Sequence, residues 1–106
     1  MAKYLFEVNY TLDGIKAVKA KGASARLAAA KATVESIGGS VEAYYFAFGG
    51  TDVYAIVDLP DNVSAASLSL TMAAAGGLTA RTVVLLTPEE IDQAVARNVS
   101  YSPPGS

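Results

Sequence analysis

Along the start of the chain, apolar and polar positions alternate with a period of two. Tyr4, Phe6, Val8 and Tyr10 fall on one side, and Leu5, Glu7 and Asn9 on the other. That period belongs to a half-buried strand, and it predicts one from Lys3 to Thr11. The pattern then changes. From about Leu12 to Ile37 the composition is helical, but Gly22 interrupts it, and Ser24 stands where a fresh helix would be capped. We therefore expect a short helix, a break and a longer helix. In the longer one Leu27, Ala30, Val34 and Ile37 recur at helical spacing and face one way, leaving Arg26, Lys31 and Glu35 in water. Gly38-Gly39 ends it, because glycine accepts the backbone conformation that closes helices.

The segments Ser40 to Phe48 and Asp52 to Leu59 read as strands of a hairpin turning over Gly49-Gly50-Thr51. Pro60 stops the second of them, and Asp61 or Asn62 caps a helix whose stripe is Ala65, Leu68, Met72 and Ala75. Gly76-Gly77 closes that helix, and Leu78 to Leu86 is the next strand. The order is strand, helix, strand, strand, helix, strand, which is the split βαβ arrangement of an α+β, ferredoxin-like βαββαβ fold with a four-stranded antiparallel sheet. After it, Thr87-Pro88-Glu89-Glu90 combines a capping box with proline at the first helical position, so an extra C-terminal helix from Pro88 to about Arg97 is expected. Residues 1–98 make one domain, and 99–106, rich in serine, proline and glycine, a loose tail.

Sheet-face assignments change what the molecule needs. A ferredoxin-like sheet carries helices on one face only. With Val41, Ala43, Tyr45, Val53, Ala55, Val57 and Leu59 directed at the helices, the other face still presents Leu5, Tyr44, Phe46, Phe48, Tyr54, Ile56, Val83 and Leu85. That is more apolar surface than a solitary domain leaves in water. Composition points the same way: the chain is 52% hydrophobic and 17% charged. Two remedies are open. A second copy covers the face, giving a homodimer or higher homo-oligomer with sheets packed together, or the C-terminal helix folds back over it.

A chain of 106 residues suffices for one core without metals or cross-links. Cysteine and histidine are both absent. Disulfides, thiol nucleophiles, Ser-His-Asp triads, ordinary zinc sites and histidine-ligated haem are thereby excluded, and no cofactor is implied. The net charge of −2 and the scattered basic residues argue against nucleic acid as a partner. No apolar run approaches the roughly 20 residues of a membrane span, so no membrane partner is expected. Glu7 interrupts the first apolar stretch before a signal-peptide core forms, which makes a cytoplasmic location the expectation.

Phe48-Gly49-Gly50-Thr51-Asp52-Val53-Tyr54, Val57-Asp58-Leu59-Pro60-Asp61 and Gly76-Gly77, together with Tyr10-Thr11, Gly14, Gly22-Ala23-Ser24-Ala25-Arg26 and the Leu86-to-Glu90 ending, resemble the GYD-domain family. In the Gly-Tyr-Asp triplet Gly50 and Asp52 match, while Thr51 stands in place of the tyrosine. The resemblance implies a dimeric α+β barrel, in which two ferredoxin-like sheets pack with pockets between sheet and helices. Related barrels include cofactor-independent monooxygenases, lactone isomerases and haem enzymes, but a shared fold does not carry chemistry with it.

Chemistry-bearing candidates gather on the open sheet face: Glu7, Asn9, Tyr54, Asp58 and Arg81, with Tyr44 beside them. One reading is structural, a Glu7–Arg81 cross-strand pair that fixes the register of the dimer. The other is functional: these residues line a pocket for a small, partly apolar ligand, or serve a cofactor-independent oxygenase or isomerase with Glu7 or Asp58 as proton acceptor. A purely structural subunit of a larger homo-oligomer is the third. Asp52, opening a strand after a glycine turn, is expected to bind backbone N–H groups of the turn. The Gly49-Gly50 turn lacks the lysine of a phosphate loop.

Overall fold

The computed structural model describes residues 1–105. Its elements run β1 (Ala2–Tyr10), α1 (Leu12–Lys21), α2 (Ala23–Glu35), β2 (Ser40–Phe46), β3 (Val53–Leu59), α3 (Asn62–Ala75), β4 (Leu78–Leu85) and α4 (Pro88–Val95). The strands form one antiparallel sheet in the order β2-β3-β1-β4, with β1 and β3 central, as a ferredoxin-like domain requires.

Local chemistry accounts for the helix boundaries. Thr11 caps α1 by accepting the Gly14 N–H, and Asp61 caps α3 by accepting that of Ser64. At α4 both halves of the capping box form: Thr87 Oγ1 accepts from Glu90 N at 3.1 Å, and Glu90 Oε1 from Thr87 N at 2.9 Å. The expected break between α1 and α2 falls at Gly22, which takes a positive φ of 91°. Ser24 is not the cap we expected. Helix α2 resumes at Ala23, one residue after Gly22, so Ser24 already lies inside its first turn and no side chain caps it.

The core lies between the sheet and α2 and α3. Tyr4, Phe6, Val8, Val53, Ala55, Val57 and Leu59 are buried from the strands, and Val34, Ala65 and Leu68 from the helices. No polar or charged residue is buried among the described residues. Each large apolar side chain removed from water here contributes about 1.5–3 kcal/mol. Two close approaches seal the layers. A Cβ on Gly14 would stand 1.8 Å from the Gly77 carbonyl oxygen, and one on Gly39 would stand 2.4 Å from that of Asp58, so both positions exclude any side chain.

Strand β2 departs from the expected alternation. The register shifts between Val41 and Ala43, so that Val41 faces Val57, Ala43 faces Ile56, Tyr44 faces Ala55 and Tyr45 faces Tyr54. This bulge adds one residue and reverses the parity beyond it. Tyr44 therefore packs on the helix side with the core, and Phe46 follows it, their rings edge to face at 5.7 Å. Ala43 and Tyr45, expected inside, lie on the open face instead. Phe48 lies beyond the end of β2, wholly exposed.

Helix α4 does not cover the open face. Every one of its residues is exposed, including Ile91 and Val95 on its apolar stripe. The chain measures 57 × 32 × 24 Å with a radius of gyration of 17.0 Å, against about 13 Å for a compact domain of this size. Beyond Arg97 the chain has neither helix nor strand up to Gly105; Ser106, the end of the expected loose tail, lies outside the described residues. No helix among the described residues is long and apolar enough to cross a membrane.

Candidate functional site

The sheet offers a different site on each face. On the open face, β1 contributes Lys3, Leu5, Glu7 and Asn9, β3 contributes Tyr54, Ile56 and Asp58, and β4 contributes Arg81, Val83 and Leu85. Glu7 and Arg81 are register partners, with Oε2 and Nη2 3.5 Å apart. Lys3, which the sequence did not single out, donates to Asp58 Oδ1 at 3.0 Å and to Glu42 Oε1 at 2.6 Å. Asn9 is engaged as well. Its Oδ1 accepts from the Asp52 N–H at 3.1 Å, while Asp52 Oδ2 accepts from the Tyr10 N–H at 2.9 Å.

These bonds give most of the sequence candidates a structural occupation. Asp52 binds a backbone N–H, but that of Tyr10 at the end of β1 rather than one within the turn as expected, and so fastens the hairpin turn to β1. Gly50 is exposed with nothing near its α-carbon side, and it is Gly49 that takes the positive φ, 127°. Tyr54 presents its ring to solvent without a hydrogen bond among the described residues. Glu7, Asp58 and Arg81 are paired across strands, and no three acidic side chains among the described residues converge to hold a metal. The open face thus has an apolar field crossed by ion pairs.

A cavity exists on the other side. Where α1, the start of α2 and the end of α3 meet the ends of β1 and β4, an open cleft of about 540 Å³ is walled by Ala17, Val18, Ala25, Ala29 and Ala75. Small side chains at these positions leave the space. Behind it, between sheet and α2, a smaller apolar cavity of about 90 Å³ reaches to Phe6, Ala55, Val57 and Leu68. Arg26, Met72 and Leu78 line both. Tyr10 borders the cleft and Tyr44 the inner cavity, and their hydroxyl oxygens are 3.4 Å apart. Thr11 braces the cleft floor: its N–H donates to Gly77 O at 3.1 Å and its hydroxyl to Gly76 O at 3.0 Å.

Two features of this junction are chemical. Burial raises the Tyr10 phenol well above its ordinary pKa of 10.0, and the hydrogen bond to Tyr44 adds to the rise, while the nearby Arg26 guanidinium opposes it. At neutral pH the Tyr10 hydroxyl therefore keeps its proton, beside the Arg26 guanidinium. Arg26 itself is in deficit. Its Nε is shut off from solvent without a hydrogen-bond partner, and the guanidinium forms no ion pair among the described residues. Leaving a buried donor unsatisfied costs about 1–3 kcal/mol, more for a charged group.

Arg26 was expected in water, and Tyr10 was set with Tyr4, Phe6 and Val8 on one side of β1. The signal that would have found Arg26 is its spacing: Arg26, Ala30 and Val34 recur every four residues, which puts the arginine in line with the apolar stripe of α2. Tyr44, expected on the open face, joins this site because of the bulge in β2.

Fold and cavity together define an α+β domain with a ferredoxin-like sheet and a pocket between sheet and helices. The chain matches the GYD domain family over residues 4–95 and belongs to it. Comparison with curated proteins and with solved structures gives no match.

Proposed function

We propose that this GYD-domain protein is a homodimer that binds a small, partly apolar ligand between its sheet and its helices. The observation that carries the ligand reading is the cleft continuing into an inner apolar cavity, with Tyr10, Tyr44 and Arg26 converging where the two meet. Mostly apolar walls with a few convergent polar groups are the usual make-up of small-molecule sites. Of the open-face residues proposed from sequence as ligand-binding, Asn9 is taken up by the Asp52 N–H of its own chain, and Glu7, Asp58 and Arg81, paired across strands, serve the assembly instead.

Two observations support association. Tyr45 is 70% exposed and Tyr54 41%, side by side on the open face and continuous with Leu5, Ile56, Val83 and Leu85. Helix α4 and the residue leading to it add a second apolar surface in Leu86, Ile91 and Val95, all exposed. Sheet-on-sheet packing about a two-fold axis buries the first, and α4, reaching off the body, lies against the partner. A cysteine-free chain suits a reducing compartment, and a cytoplasmic setting is part of the proposal.

Native mass spectrometry of freshly purified protein, beside a denatured sample, tests both halves. The expected spectrum is a dimer carrying an added mass that disappears on denaturation. A monomer at micromolar concentration would overturn the assembly. A bare dimer that takes up none of a set of small amphiphiles would overturn the ligand.

A further inference from the structure

We infer that the ligand of this cleft is a small carboxylate with a short apolar tail, held by Arg26 as its counter-ion with the Tyr10 and Tyr44 hydroxyls beside it. The inference rests on the ligand-binding reading above and adds to it the chemistry of the ligand head group.

The first support is the state of Arg26. A guanidinium stays charged at any pH the protein meets and carries five N–H donors in a planar fork matched to a carboxylate. On the sheet the cations are paired, Lys3 with Glu42 and Asp58 and Arg81 with Glu7, and the other unpaired ones, Lys16, Lys19, Lys21, Lys31 and Arg97, are exposed to water, whereas Arg26 is partly buried. Those acids all lie on or beside the open face, on the far side of the sheet. Arg26 has no carboxylate partner among the described residues, and its Nε is enclosed without an acceptor. The charges bordering the cleft beside it are Lys21 and Asp13, both exposed on α1 and opposite in sign. Both stand in water at the cleft's edge, and Arg26 is the cation that also lines the inner cavity.

The second support is position. Arg26 lines both the cleft and the inner cavity, and the two tyrosine hydroxyls, 3.4 Å apart, bridge the same boundary. A head group placed there meets one cation, which balances a single negative charge, and a pair of hydrogen-bonded phenols with one O–H left to donate. Beyond it the inner space of about 90 Å³ has walls of Val8, Ala30, Val34, Ala55, Val57 and Leu68, suited to a few carbons and to nothing polar. A neutral carbonyl would give the Nε–H an acceptor but leave the guanidinium charge without a counter-ion. A carboxylate supplies both, and its tail takes the apolar space.

Matched pairs of probes test this: phenylacetate with phenylacetamide and octanoate with octanamide, each titrated into the intact protein by calorimetry and followed on the Met72 methyl resonance. Each carboxylate is expected to bind at least about tenfold more tightly than its amide, a difference of about 1.4 kcal/mol. Arg26→Met, which keeps the length of the stem, is expected to erase that preference and to melt no lower than the native protein, because it removes the unsatisfied donor. Should Arg26→Met fail to fold, Arg26→Lys keeps the charge without the fork and is expected to weaken carboxylate binding several-fold. Equal binding of acid and amide would overturn the carboxylate inference and leave the ligand site standing. Binding of neither member of either pair would overturn the ligand site itself. A preference that survives Arg26→Met would show that another cation holds the head group, and would also overturn the inference.

Discussion

The two faces of the sheet are made from the same four strands, yet they solve opposite problems. Toward the helices, Tyr4, Phe6, Val8, Val53, Ala55, Val57 and Leu59 are buried with no charge among them. Toward solvent, Leu5, Tyr54, Ile56 and Val83 share the surface with the Lys3–Asp58 and Glu7–Arg81 pairs. The first face is a core, hollow only where Phe6, Val8, Ala55 and Val57 line the inner cavity. The second has the composition of an interface, apolar with charges that are already paired across strands, so that covering it strands no lone ion. The comparison teaches that hydrophobicity alone does not distinguish a core from a contact surface. What distinguishes them is whether the polar groups among the apolar ones are arranged to survive desolvation.

Truncations on the two faces are the largest test of that contrast. Phe6→Ala empties space that the surrounding side chains fill, and it is expected to cost about 3–5 kcal/mol in denaturant unfolding. Tyr54→Ala on the opposite face is expected to leave the circular dichroism spectrum intact and to weaken association by about 2 kcal/mol, read by sedimentation at several concentrations. If Tyr54→Ala destabilised the fold as Phe6→Ala does while association was untouched, the two faces would be one core and the comparison would fail.

The Glu7–Arg81 pair sharpens it further. In a lone chain the Arg81 side chain is 82% exposed, and a pair of that kind is worth about 0.2–1 kcal/mol. Covered by a partner, its loss leaves Glu7 without compensation, for which the cost rises toward about 3 kcal/mol. Arg81→Ala is therefore expected to be nearly silent at protein concentrations where the chains are apart and clearly destabilising where they are together. A small effect at both concentrations would place this pair outside any interface.

Much of this fold was legible in the sequence because its determinants are local. Alternation around Tyr4, Phe6 and Val8 set the face of β1 correctly, and Thr87 through Glu90 announced a helix start that the structure reproduces bond for bond. The capping of α3 by Asp61 was one of two residues foreseen. Strand β2 was misread for a reason that is not local. One extra residue between Val41 and Ala43 reverses the parity, and because apolar and aromatic residues occupy both parities there, no pattern in the chain reveals it. Tyr44 and Tyr45 changed places in consequence. The candidate site was less legible still. Lys3 meets Asp58 only through the β1–β3 register, and although its spacing from Ala30 and Val34 puts Arg26 on the apolar stripe of α2, a charged residue there reads as solvated until the neighbouring elements are seen to enclose it.

The finest test concerns the end of the helix-covered face, where Tyr10 borders the cleft. Burial, then the Tyr44 hydrogen bond, raises the Tyr10 phenol above its ordinary value of 10.0. Below that value the hydroxyl is protonated in folded and unfolded chains alike, and stability does not depend on it. Above it the unfolded chain releases the proton while the folded chain retains it, so stability falls as pH rises through and beyond the ordinary phenol range. Lys3, raised by its bonds to Glu42 and Asp58, loses its stabilising proton in the alkaline range too, but equally in any variant that keeps it. Tyr10→Phe is expected to cost about 0.5–1 kcal/mol at neutral pH for the hydroxyl contact, and the gap between variant and native protein should close between about pH 10 and about pH 11. Urea midpoints measured for both proteins across that range decide it: curves that stay parallel would mean that the Tyr10 hydroxyl stands in water, and that this end of the covered face is as open as the other side of the sheet.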